Sequence, residues 1–336
     1  MDESHAVGGS NRPEGLPRAV VLGGTGFVGR HLVRALSQRG WEVVVPSRHA
    51  ARHRDMGLWP SVVLVDMNPP ARSDLATHRG SPELAELLEG ADLLVNLVGI
   101  LNERRHNGKG FERVHIKLTK AALRAAADAG VPRYLHMSAL GADEEEGVSH
   151  YQRSKGKAES WVHRFGRKHD IAVTSFRPSV IFGPGDSFLN RFADLAKLMP
   201  GIFPLACAGA RFSPVYVGDV VRRYVEAIDA PQADGARYDL CGPHDYSLGE
   251  LVRYAASTSG HSRWVVGLPM WLSRIQARVM EWLPGKPFSR DNLDSLQRDN
   301  TCSPECPREP TRLEDVAPGY LAPGNGGSGK SAPRRG

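Results

Sequence analysis

The chain has 336 residues, 41% of them hydrophobic and 24% charged, which is globular usage with ample length to bury a core. Its net charge of +6 comes from arginines scattered along the chain rather than gathered in a stripe, which excludes a recognisable nucleic-acid-binding module. No apolar run approaches the roughly eighteen residues that span a bilayer, and four cysteines (Cys207, Cys241, Cys302, Cys306) are too few and scattered for a disulfide framework or a metal site, so a reducing, cytoplasmic setting is expected.

Residues 1–17 (MDESHAVGGSNRPEG and on) carry no hydrophobic stretch and are expected to be a loose leader without a secretory signal. From Arg18, short apolar runs alternate with helix-length amphipathic segments. RAVVLGG predicts a strand and HLVRALSQRG a helix ending at Gly40; WEVVVPS and SVVLVD are the second and third strands. SPELAELLEG predicts a helix with Ser81 as N-cap and proline at its first position. ADLLVNLVG is a fourth strand, FERVHIKLTKAALRAAADAG a long helix stopped by Gly130, and RYLHMSA a fifth strand. The helix around SHYQRSKGKAE and the strand IAVTSFRPSVI follow. Strands alternating with helices imply βαβ units and a doubly wound parallel α/β sheet. After about residue 183, proline and glycine become frequent and helices such as SLGELVRYAASTSG stand between short strands, as in a smaller cap. We therefore expect a dinucleotide-binding domain over 18–182, with 211–242 returning to the sheet. A smaller substrate region spans 183–210 and 243–313, and a Gly/Pro/Ser-rich tail over 314–336 is expected to be disordered.

The first strand runs directly into VVLGGTGFVGRHL, so Gly23, Gly24, Thr25, Gly26, Phe27, Val28 and Gly29 form a glycine-rich strand-to-helix turn. Glycine permits the tight turn, lets backbone approach a pyrophosphate and lets helix pack on strand. The helix N-terminus then presents free N–H groups to the phosphates. A site for NAD usually carries an acid about twenty residues further on, at the end of the second strand. Here VVVPSRHAARHR has none; Ser47 and Arg48 stand there instead, and a guanidinium suits a 2′-phosphate, so NADP(H) is expected over NAD(H). Asp66, ending the third strand, either accepts from adenine or caps the next turn.

Tyr151 and Lys155 lie four apart on an amphipathic helix, on the side of its apolar stripe. A lysine facing a sheet is costly without partners, and ribose hydroxyls would be such partners. Its charge would also lower the tyrosine's pKa and ready it for proton transfer. Ser138 ends the fifth strand, where ligands bind in open α/β sheets, and either orients substrate or merely caps the strand. PMWLSRIQARVMEWLPG places Trp271, Leu272, Ile275, Val279, Trp282 and Leu283 at helical spacing with Arg274 and Arg278 on another face. Packing within the substrate region is the expected use of that stripe; contact with an anionic membrane or a lipid-like substrate is the other.

GGTGFVG, NLVG (96–99), SALGA (138–142), YQRSK, FRPSVIFGPGD (176–186) and FSPVYVGDV (212–220) together resemble the extended, NAD-dependent epimerase/dehydratase branch of the short-chain dehydrogenase/reductase superfamily, over residues 18 to 300. RPSVIFGPGDSFLNRF and LPGKPFSRDNLDSLQRDN are similar to an atypical subgroup that includes the dehydrogenase-like accessory subunit of respiratory complex I and its bacterial relatives. The resemblance implies a Rossmann domain with a smaller C-terminal α/β substrate domain, and Ser138, Tyr151 and Lys155 as the catalytic set. It also implies a cofactor lining that includes Asn96, Val98, Gly99, His115, Lys155, Arg177, Pro178 and Val180. His115 stands where the family often has an asparagine that holds a water in the proton path; either it substitutes in that relay or the relay is absent. The interval from Ser138 to Tyr151 is shorter than in sugar-nucleotide epimerases and holds an acidic loop (143–146), which weakens the case for such a substrate. Two functions follow: an NADP(H)-dependent oxidoreductase or epimerase-like enzyme acting on a carbonyl or secondary alcohol, or a nucleotide-holding accessory protein of a respiratory complex, peripheral on the inner membrane face.

Overall fold

The computed structural model describes residues 15–68, 82–283 and 286–323. In chain order they form β1 (Arg18–Leu22), α1 (Phe27–Gln38), β2 (Glu42–Ser47), β3 (Val62–Asp66), α2 (Pro82–Leu88), β4 (Leu93–Asn96), α3 (Leu118–Asp128), β5 (Arg133–Met137), α4 (His150–Lys168) and β6 (Ala172–Pro178). Then come β7 (Ile181–Phe182), α5 (Leu189–Leu198), β8 (Ile202–Ala206), β9 (Arg211–Phe212), β10 (Val215–Tyr216), α6 (Val217–Ile228), β11 (Arg237–Leu240), β12 (Tyr246–Ser247) and α7 (Leu248–Thr258). β13 (Trp264–Leu268), α8 (Met270–Met280), α9 (Arg290–Ser295), α10 (Leu313–Val316) and α11 (Pro318–Leu321) complete the described chain. The predicted Ser81 cap lies outside the described residues, as do residues 1–14 of the leader.

β1 to β6 and β11 build one parallel sheet in the order β11-β6-β5-β4-β1-β2-β3. This is the doubly wound α/β sheet expected from the alternation. The strands are near-continuous apolar runs because both faces are covered. Leu32, Val33 and Leu36 of α1 with Val220 and Tyr224 of α6 cover one face. Leu84 and Leu88 of α2, Ala122, Leu123 and Ala126 of α3, and Val162 of α4 cover the other. Each such aliphatic side chain, fully withdrawn from water, contributes roughly 1.5–3 kcal/mol. The strand order reverses between β1 and β4, so a crevice opens there at the carboxyl ends of the strands.

Two expectations fail for the same reason, that distant segments meet in space. Residues 314–323 are not disordered: Leu313, Ala317 and Leu321 fall on one helical side and pack with Leu189 and Leu251. The Tyr320 hydroxyl donates to Asp186 at 2.6 Å, tying α11 to the loop before α5. The cysteines are not all free: Cys241, just after β11, forms a disulfide with Cys302, 61 residues away. A returning segment brings Cys302 there, pairing Asn300 with Phe212 and Arg308 with Cys241. The reducing setting thus loses the support drawn from cysteine usage. Among the described residues no cluster of histidine, cysteine and carboxylate could hold a metal.

Candidate functional site

The glycine turn closes between β1 and α1. Gly23 has φ +78°, in the left-handed region, and a Cβ there would meet the Leu97 and Val98 backbone at 3.2–3.3 Å. Gly29 is the tightest point, since a Cβ would lie 2.2 Å from the Gly23 carbonyl. Gly26 is the N-cap of α1, exposed, with no side chain capping the helix. Thr25, Phe27 and Val28 are only partly buried around it. The first N–H groups of α1 are thus open to an anion, at the positive end of the helix dipole. A dinucleotide's pyrophosphate fits this cradle. Gly185, of the GPGD loop, approaches Phe27 from the other side.

At the end of β2, Ser47 accepts from the His49 N–H (3.3 Å) and Arg48 is exposed. Asp66 accepts from the Ala50 N–H at 2.8 Å, so of its two expected uses it makes the turn-holding one. Asn96 is spent within the protein: its amide donates to Thr119 and Tyr134, both at 3.0 Å, while its oxygen accepts from the Val98 N–H at 3.1 Å. It shapes the turn that presents Val98 and exposed Gly99 to the crevice.

α4 starts at Ser149, whose hydroxyl accepts from the Gln152 N–H at 3.1 Å. Tyr151, Lys155 and Glu159 follow on one side of this helix. Lys155 is buried and donates to the Met137 carbonyl at 2.9 Å, one residue before Ser138. Burial pushes its pKa down to about 8, against the opposing pull of Glu159. Its ammonium also lies 3.2 Å from where a Gly99 Cβ would stand, so a side chain at 99 would crowd it. Ser138 is buried and its hydroxyl makes no hydrogen bond of regular geometry, although it lies near enough to Glu159 to help hold that carboxyl down. A buried hydroxyl without a hydrogen bond of regular geometry, next to the residue Lys155 holds, is a place for a ligand.

Tyr151 departs from expectation. Its ring is crowded even though part of its surface meets solvent, and its pKa is pushed up to about 12, first by burial and then by the Asp291 charge. In this state the Tyr151 phenol holds its proton tightly. The crowding comes from Phe111 and His115, whose rings stand edge-on to it at 6.0 and 5.5 Å.

His115 sits in a π-helical turn (Glu112–Lys117) just before α3. Its Nε2 accepts from the Ile100 N–H at 3.1 Å, which leaves the proton on Nδ1 to donate to Ser154 Oγ at 2.8 Å. The Ser154 hydroxyl in turn donates to the Tyr151 carbonyl at 2.9 Å. Burial and the Lys155 charge hold its pKa well below the ordinary value. Both ring nitrogens are thus engaged, and through Ser154 the imidazole is linked to the Tyr151 backbone.

Arg177, expected in the cofactor lining, is held by a carboxylate. Glu159, buried and opposite, takes its guanidinium in hydrogen bonds of 3.0, 2.9 and 2.5 Å, with Arg237 adding a 2.7 Å contact to the same carboxylate. Pro178 and Val180 spend their carbonyls on Leu140 and Val215 N–H groups, at 3.0 Å each. Two site residues escaped sequence reading. Glu159 was visible as the next step of the Tyr151–Lys155 spacing. Asp291 was not: it comes from α9 to accept from the His150 and Tyr151 N–H groups at 2.8 and 3.2 Å. Burial lifts the Asp291 carboxyl above its usual range.

The acidic loop lies directly on this helix. A Cβ at Gly156 would stand 2.3 Å from the Asp143 carbonyl carbon, so glycine there allows the close approach. Asp143 folds the loop by accepting from the Glu145 and Glu146 N–H groups at 2.8 and 2.7 Å.

Comparison with known proteins agrees with this geometry. Residues 19–249 match the model of the NAD dependent epimerase/dehydratase family. The chain is 28% identical over 323 residues to NADH dehydrogenase (ubiquinone) 1 alpha subcomplex subunit 9, mitochondrial, of Mus musculus, covering 92% of this chain and 81% of that one. It is 31% identical over 252 residues to the ceramide reductase of Caulobacter vibrioides, covering 74% of this chain and 73% of the other. Among solved structures, the UDP-glucuronic acid 4-epimerase of Bacillus cereus superposes with TM-score 0.63 at 19% identity, over 85% of this chain and 95% of that one. Sheet order, glycine turn and the family match, which spans more than half the chain, lead to one assignment: the chain belongs to the NAD dependent epimerase/dehydratase family.

Proposed function

We propose that the protein is an NADP(H)-dependent oxidoreductase that interconverts a carbonyl and a secondary alcohol, with Tyr151, Lys155 and Ser138 as its catalytic residues. The observation that carries this reading is the buried Ser138 hydroxyl, without a hydrogen bond of regular geometry, one residue past the Met137 carbonyl that buried Lys155 holds at the end of β5. The glycine turn from Gly23 to Gly29 would seat the pyrophosphate, and exposed Arg48, in a stretch with no acid from Val43 to Arg54, would take the 2′-phosphate. Lys155 would exchange its Met137 carbonyl for ribose hydroxyls. Bound nicotinamide supplies or accepts the hydride. Ser138 donates to the substrate oxygen and holds it. In the reductive direction Tyr151, kept protonated by burial and by Asp291, gives its proton to that oxygen as the carbonyl becomes an alcohol. His115, through Ser154, fixes the Tyr151 backbone so that the hydroxyl stays in place.

The Caulobacter relative, named a ceramide reductase, favours a lipid-borne carbonyl as substrate. The short interval and acidic loop before Tyr151 point away from a sugar nucleotide, so the superposition on UDP-sugar epimerases speaks for fold alone. The second reading, a nucleotide-holding accessory subunit without turnover, is favoured by the similarity to complex I subunits over nearly the whole chain. Substitution Tyr151→Phe separates the two. Enzymatic use predicts that NADPH still binds while reduction of long-chain ketones falls by about 10²–10⁴-fold. Full turnover in the variant overturns the catalytic assignment, and absence of turnover in the wild type across ketones and quinones favours the accessory role.

A further inference from the structure

α8 faces the wrong way for a core helix. Globular helices turn bulky apolar residues inward, but here the inward residues are Ser273 and Ala277, small and fully buried. At 100° per residue, Trp271, Ile275, Val279 and, in the turn that follows, Trp282 and Leu283 line the opposite side. All five are exposed, Trp271 at 62% and Trp282 at 90%. β13 adds exposed Trp264 and Val266 just upstream. The expected packing of this stripe within the substrate region is therefore not what the fold does with it.

Charge says what covers it. Arg274 and Arg278 are exposed along one edge of the stripe and pair with no carboxylate among the described residues. Residues 261–290 hold five basic residues (Arg263, Arg274, Arg278, Lys286, Arg290) against one acid, Glu281. That acid is already bonded to Arg290, at 3.0 Å. A second copy of the chain laid on this face would set bases against bases, and a two-fold interface must complement itself. Apolar side chains with tryptophans and an arginine edge suit the headgroup boundary of an anionic bilayer.

We propose that the α8 face docks the protein on an anionic lipid surface, lying in the interface without crossing it. The docking face leads straight to the site. The Glu281–Arg290 pair joins the end of α8 to α9, where Asp291 holds the His150 and Tyr151 N–H groups and Ser295 bonds the α4 N-cap Ser149 at 2.8 Å. Docking is thus linked through α9 to the N-terminal end of α4, whether or not the site turns over.

Flotation of the full chain with vesicles tests this, using phosphatidylcholine alone and phosphatidylcholine with about a third phosphatidylglycerol. The expected result is at least about 10-fold stronger recovery on the anionic vesicles, falling steeply between about 50 and 500 mM salt. Trp271→Ser with Trp282→Ser, and separately Arg274→Glu with Arg278→Glu, each remove about 10-fold or more of that binding. Both are surface changes that leave the melting temperature in place, so the loss is not unfolding. No recovery on either vesicle overturns the proposal. So does equal recovery on both that ignores the arginine reversal, or self-association that the tryptophan variant abolishes.

Discussion

Replacing Lys155 by methionine should make the protein more stable while disabling it. The ammonium is 3% exposed and its pKa falls from 10.5 to about 8, burial being the main cause. A drop of that size corresponds to roughly 3 kcal/mol of penalty on the charged form. Below about pH 8 both folded and unfolded chains carry the proton, so the penalty is fully present. Between about 8 and 10.5 the unfolded chain binds more protons, so stability rises with pH. Above 10.5 the penalty is gone. Methionine fills the same channel without charge, at the loss of one hydrogen bond to the Met137 carbonyl, worth about 1 kcal/mol. Glu159 remains neutralised by Arg177 and Arg237. The net expectation is stabilisation by about 1–3 kcal/mol near neutral pH, a rise of several degrees in melting temperature. Thermal and urea unfolding at pH 7 and pH 10 measure it: the variant's advantage should shrink at the higher pH. A variant less stable than wild type at pH 7, or an advantage that does not depend on pH, would refute the account of Lys155 as a buried charge kept for function.

Gly29→Ala should cost about 2 kcal/mol or more in urea unfolding and abolish nucleotide binding, because the new methyl meets the Gly23 carbonyl at 2.2 Å. Asp291→Asn removes the charge that helps to raise Tyr151, so the alkaline limb of the reduction rate should move to lower pH; an unmoved limb counts against Tyr151 as the acid. Reducing the Cys241–Cys302 disulfide, which closes a loop of about 60 residues, should lower stability by about 2–4 kcal/mol, read as a lower denaturation midpoint with dithiothreitol.

The sheet was legible because its signal is local: six apolar runs separated by amphipathic segments, each strand ending at a turn residue. The glycine turn was legible for the same reason, since its three functions lie within seven residues. Tyr151 and Lys155 were placed correctly on one helix side, yet the direction of the Tyr151 pKa was misjudged. Spacing shows that two groups share a face, whereas a pKa depends on everything else that surrounds them. Here that includes Asp291, 140 residues downstream. The same limit hid the Cys241–Cys302 bond and the bonds of Arg177 to Glu159. The α8 stripe carried the opposite lesson: its period was plain, but whether it faced inward or outward depended on Ser273 and Ala277 finding neighbours.

The central claim is a nicotinamide nucleotide site selective for the 2′-phosphate. Its most direct test is titration of the purified protein, free of carried-over nucleotide, with NADPH and with NADH, following nicotinamide fluorescence, alongside Arg48→Ala. The account predicts tight NADPH binding, NADH weaker by at least about 10-fold, and loss of that preference in the variant through the NADPH arm alone. Equal or tighter binding of NADH would contradict the role of Arg48, and binding of neither would contradict the site.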